Sequence, residues 1–138
     1  MDVLLLIGRI LYGLIFVGAG IGGHLVQTDE TAGYGQMRGM KNARNLVIIS
    51  GVGITAGGLG VIFGFWADLA ALGLVAYSLI AAFMVHHFWT DEGQLQTIEM
   101  SMFMKNLSMA GGGLILFVLI AKLGAEFPFT LTDPIFKF

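Results

Sequence analysis

The sequence predicts an all-α integral membrane protein, an up-down four-helix bundle followed by an extended C-terminal tail that contains proline and phenylalanine. Three observations lead there. Of 138 residues, 57% are hydrophobic and only 12% are charged, where an ordinary soluble domain is nearer a quarter charged. The mean hydropathy is +0.85, and a chain this short has too little interior to hide so much apolar surface from water. Four separate runs are long enough to cross a hydrocarbon core, which takes about 20 predominantly apolar residues.

The first run spans about Val3 to Leu25. A cleaved leader would begin with a basic segment and end in small residues. Here Asp2 stands at the start and the apolar run is longer, so a retained membrane helix is expected. The stretch TDETAGYGQMRGMKNAR follows, and its glycines and charges read as a polar loop. The second run covers about Leu46 to Phe65, a short WAD turn leads into the third at about Leu69 to Phe88, and TDEGQLQTIE leads into the fourth at about Met100 to Ala121. These runs make one transmembrane domain over residues 1–124, with a tail over 125–138. The tail holds Pro128 and Pro134, so it cannot continue as one helix. It is expected to lie on the membrane surface or on a partner.

Short connections make consecutive helices antiparallel, and a helix satisfies its own backbone polar groups in lipid. The 21 glycines suit such a bundle. Gly13, Gly20, Gly53, Gly57, Gly60 and Gly64 are the expected packing positions, because small residues let membrane helices approach closely.

Alternating direction sorts the polar residues by depth. With the N-terminal side called A, His24, His86, His87, Trp89, Lys105 and Asn106 converge on side B. Arg9, Asp68, Lys122 and Glu126 fall on side A. Arg9 lies about two turns inside the first helix, where a charge faces the protein or snorkels. Helical spacing puts Arg9, Gly13, Phe16, Gly20 and His24 on one stripe. Asp68 and Glu126 are the expected partners of Arg9, with an anion or a carbonyl-bearing headgroup held in the bundle as the alternative. Lys105 is long enough to snorkel toward Asp91, Glu92 or Glu99. Arg38, Lys41 and Arg44 lean the positive-inside rule toward side B as cytoplasmic without deciding it.

The segment HHFW closes the third run. In regular helix, neighbours point about 100° apart, so only one of His86 and His87 would face inward. Three readings of this corner are weighed. A haem needs facing ligands, and so small a chain without a second pair is poorly suited to it. A quinone needs hydrogen-bond donors near the interface and an apolar channel for its tail. A plain polar rim with Trp89 as an interfacial anchor needs no ligand. The last two stay open. No metal site is assigned. The absence of cysteine removes disulfides, thiol chemistry and iron–sulfur clusters. A net charge of −2 without charged blocks gives no sign of nucleic-acid binding.

The runs GRILYGLIFVGAGIGGHL, SGVGITAGGLGVIFGFWADLAALGL, FMVHHFW and MFMKNLSMAGGGLIL, in that order, resemble the DoxX family of four-helix membrane proteins over about residues 8–118. The family pattern falls on Arg9, Gly13, Phe16, Gly20, Gly57, Gly58, Gly64, His87, Phe88, Trp89, Lys105 and Asn106. Two departures stand out. The acidic residue often found in helix two is replaced by Ile54, and the usual proline before that helix is missing near Lys41. The resemblance selects His87 as the inward histidine. It implies a prokaryotic cytoplasmic-membrane protein that works with other membrane subunits, in some relatives in quinone-reducing oxidoreductases.

The expected function is a subunit of a redox-linked membrane complex. His24, His87, Trp89, Lys105 and Asn106 would face a quinone, and the chain alone would not be catalytic. The competing expectation is a non-catalytic scaffold that docks through its Gly-rich helices and its tail.

Overall fold

A computed structural model describes residues 1–138 and contains helices and turns without strands. Helix α1 (Asp2–Gly18) continues as a wider helical segment with i→i+5 turns, Ala19–Val26. Then come α2 (Thr28–Met37), α3 (Ala43–Phe63), α4 (Ala67–Met84) and α5 (Gly93–Leu123). Single turns occupy Phe88–Thr90 and Gly124–Glu126. Four stretches are long and apolar enough to cross a membrane: Asp2–Val26, Ala43–Phe63, Ala67–Thr90 and Gly93–Glu126. Large apolar side chains such as Leu11, Ile49, Ile80 and Ile115 stand exposed on their outer faces, as helices solvated by lipid require.

The spanning helices pack in chain order, α1 on α3, α3 on α4 and α4 on α5, with only a light contact closing α5 onto α1. The core between them holds Phe16, Ile54, Val61, Ala71 and Leu74. Glycine sets how closely α1 and α3 cross. A Cβ on Gly13 would lie 2.7 Å from the Gly58 carbonyl, and one on Gly58 would lie 2.8 Å from the Gly13 carbonyl. Gly57 and Gly60 serve α3 against α4, where Leu74 and Ala70 approach them. Two expected packing positions behave differently. Gly53 meets nothing within 4 Å, because it faces a groove. Gly64 ends α3 at φ 70, a left-handed conformation that suits glycine, with Thr130 of the tail against it.

Three other expectations are corrected. The loop after the first span contains α2. Asp29 and Glu30 sit in its first turn, where the helix dipole favours acids. Thr28 and Thr31 donate to the His24 and Gly23 carbonyls at the end of the first span. Ala32 packs against Ala43 and Val47. The fourth span begins at Gly93, not near Met100, and its polar first turns bury Glu99. Helix α4 ends at Met84, so His86 and His87 lie outside regular helix and the 100° argument does not govern them.

The tail folds back over side A onto its own bundle, with Phe129, Leu131, Ile135 and Phe138 still exposed. Phe127 is buried with Ala67 and Ile120. The Leu131 and Thr132 amides donate to the Gly64 carbonyl, the Trp66 amide donates to Thr132 Oγ1, and the Phe136 amide donates to Asp68 Oδ2 at 2.6 Å. The cause is Arg9, which is 1% exposed. Its guanidinium donates to the Pro128 carbonyl at 2.8 Å, the Phe129 carbonyl at 2.7 Å and the Ile62 carbonyl at 2.9 Å. The Phe127 ring lies 5.4 Å away. Arg9 therefore pairs with neither Asp68 nor Glu126. Two prolines keep the tail from forming its own helix, so its carbonyls remain free to accept.

Candidate functional site

Side B contains a cavity of about 400 Å³ between the end of the first span, α2, the start of α3 and the end of α4. Most of its lining is apolar. Leu46, Ile49, Ile80 and Met84 line it and are also exposed on the outer faces of α3 and α4, so the mouth opens toward lipid.

Polar groups gather at two points of the wall. At the first, His24 Nδ1 lies 3.0 Å from the Ala19 carbonyl, and His24 Nε2 lies 3.1 Å from the Tyr77 hydroxyl. The i→i+5 turns of Ala19–Val26 suit that carbonyl partner five residues back. With Nδ1–H donating to Ala19, Nε2 accepts from Tyr77. At the second, His86 Nδ1 lies 2.8 Å from Glu99 Oε2, and the Tyr34 hydroxyl donates to Glu99 Oε1. His86 and Tyr34 line the cavity, while Glu99, only 2% exposed, stands behind them on α5. Burial, followed by the hydrogen bond and charge of Glu99, pushes the Tyr34 hydroxyl up to about 12, so it stays a donor.

A buried clamp holds α2 over this cavity. Arg38 donates in a two-pronged arrangement to Asp91, at 2.7 Å and 2.9 Å, and through Nε to the Val85 carbonyl at 2.7 Å. Its Nη2 also lies 3.0 Å from His87 Nδ1. The hydrogen bond with Asp91 holds the Arg38 guanidinium above its ordinary value, and the same bond holds the Asp91 carboxyl below the ordinary carboxylate range. A carboxyl depressed on folding contributes stability above its unfolded value, about 3.9, and that stability is lost as pH falls through the folded value. The melting temperature of the wild type in detergent should therefore fall more steeply below about pH 3.9 than that of Asp91→Asn. Parallel curves would count against the clamp.

Of the residues expected to face a quinone, only His24 lines the cavity. His87 turns toward Arg38 and Thr90, so His86 takes the inward place. Trp89 is half exposed among Phe83, Phe88 and Phe103, an arrangement that suits an interfacial anchor. Lys105 is exposed with Nζ 3.3 Å from Met102 Sδ, and Asn106 donates to the Met102 carbonyl of its own helix. The reason is helix order. The cavity lies between α3 and α4, and α5 packs on the other side of α4. Tyr34, Tyr77 and Glu99 were not among the expected site residues. The signal available was a tyrosine and an arginine in a loop between spans, with Asp91 and Glu99 at the same depth.

Comparison with known proteins gives a consistent picture. The DoxX family model matches residues 4–87. Inner membrane protein YqjF of Escherichia coli strain K12 is 35% identical over 116 residues, covering 83% of this chain and 82% of YqjF. Inner membrane protein YphA of the same organism is 32% identical over 114 residues, covering 83% of this chain and 81% of YphA. No solved structure matches the chain.

Proposed function

The chain belongs to the DoxX family of integral membrane proteins, and from that premise we propose that it is a quinone-binding subunit of a redox-linked complex in a prokaryotic inner membrane. The side-B cavity carries the reading. It has an apolar interior, a mouth toward lipid, and hydrogen-bonding groups at separate points of its wall. A quinone is a flat apolar ring with two carbonyl acceptors and reaches its site through the bilayer, and each of those features has a counterpart here. The Tyr77 hydroxyl, released from His24, would donate to one carbonyl. His86, protonated and paired through Nδ1–H with Glu99, would donate through Nε2–H to the other. Reduction to the quinol takes two electrons and two protons. The electrons would come from a partner subunit, and the histidines would stand where the protons are needed.

Phe127 and Pro134 of the tail are buried against this chain's own bundle while Phe129 and Phe138 stay exposed, so the tail lends a scaffold reading less apolar surface than its composition suggests. The test is direct. Quinone should be recovered in the lipid extract of the gently purified protein, and a single-isoprene benzoquinone should bind the delipidated protein. Tyr77→Phe and His86→Ala should each weaken that binding by about tenfold, the effect of one hydrogen bond. Absence of quinone in the extract together with no binding would sink the proposal.

A further inference from the structure

A second apolar groove of about 440 Å³ runs between α3 and α4 on the lipid face. It shares Ser50, Tyr77 and Ile80 with the side-B cavity, so the two are continuous. From those shared residues it descends toward side A past Gly53, Gly57 and Gly73, as far as Leu69. Along α4, from Ile80 to Leu69, that is about 17 Å at the helical rise. Absent side chains make this groove. A Cβ on Gly53 or on Gly73 would meet nothing within 4 Å, so these glycines are not needed to bring α3 and α4 together. Gly57, by contrast, is already filled by Leu74. The groove contains little polar surface of its own and begins where the candidate headgroup site ends.

We infer that this groove seats the polyprenyl tail of the ligand whose headgroup occupies the side-B cavity, so that the site selects a long-chain isoprenoid quinone that enters sideways between α3 and α4. The inference rests on the quinone reading of the cavity. Continuity with that cavity favours this occupant. A headgroup held between His24, Tyr77 and His86 would leave its substituent at the lipid-facing mouth, and the groove is the apolar path leading from there. Lipid tails and apolar side chains are alike in polarity, so the preference comes from packing of a branched chain in a shaped groove, not from removal of water.

The experiment compares one benzoquinone headgroup carrying either a single isoprene unit or a long polyprenyl tail, both binding to the full chain in the same phospholipid nanodiscs. The wild type should prefer the long tail by about fivefold or more, a packing-sized effect. Gly53→Leu and Gly73→Leu start from a Cβ in open space on the groove wall and put an apolar side chain into the groove. They should remove that preference and leave binding of the single-unit quinone unchanged. Gly111→Leu, at another open glycine outside the groove, should keep it. Equal binding of both quinones by the wild type would overturn the inference and assign the groove to ordinary acyl chains. So would a preference that survives both groove substitutions. Failure of the wild type to bind either quinone would remove the headgroup reading and this inference with it.

Discussion

Replacing Arg9 by Ala should release the C-terminal segment and cost about 3 kcal/mol or more of stability. Arg9 is a charge inside a spanning helix without an acidic partner; backbone carbonyls receive it instead. Two of those carbonyls, from Pro128 and Phe129, belong to the tail. Removing the guanidinium leaves buried acceptors without donors, and each costs about 1–3 kcal/mol unless water reaches it. Lifting of residues 127–138 gives water access to the tail carbonyls. The expected signs are a lower melting temperature in detergent and rapid proteolytic cutting within the tail. Arg9→Lys should recover part of the loss, since one ammonium cannot reproduce the planar fork. Wild-type melting and an intact tail in Arg9→Ala would contradict this account.

The second large effect is expected where α1 crosses α3. Gly58→Val introduces a Cβ at 2.8 Å from the Gly13 carbonyl and at 2.8 Å from a methyl of Val17. Backbone cannot yield as a flexible side chain can, so the helices must separate and lose contacts along the whole crossing. Overpacking of this kind costs about 1–3 kcal/mol, and a β-branched residue against backbone belongs at the upper end. Gly53→Val, on the same helix but facing the open groove, should shift stability by about 0.5 kcal/mol or less. Parallel thermal melts of the two variants make the comparison. Equal losses would mean that the crossing does not depend on Gly58.

How far the sequence could be read follows from what each kind of pattern encodes. Apolar run length gave four spans and their directions, because bilayer thickness acts on length alone. Spacing gave a face. Arg9, Gly13, Phe16 and Gly20 are the buried positions of the first span, and they lie on one stripe. Depth then brought His24 and the His86–His87 pair to the same end of the bundle. Depth carries no azimuth, however. Which helix stands between two others depends on packing, so Lys105 and Asn106 could be assigned to side B without any sign that α5 lies behind α4. The choice between His86 and His87 turned on where α4 ends, and helix ends follow from local partners. Here Arg38, Asp91 and the Val85 carbonyl draw the chain out of the helix. The fold-back of the tail was not legible because its proline and phenylalanine content is compatible with any covered apolar surface. The buried arginine that selects this one lies more than a hundred residues earlier.

The most direct measurement for the quinone site is photolabelling of the purified, full-length chain with a benzoquinone that carries a photoreactive group on its ring, followed by peptide mapping. Labels are expected on the segments bearing His24, Tyr77 and His86, displaced by excess unlabelled quinone and reduced in Tyr77→Phe. Labelling confined to the opposite side of α4, around Trp89, Lys105 and Asn106, or labelling that unlabelled quinone fails to displace, would contradict it.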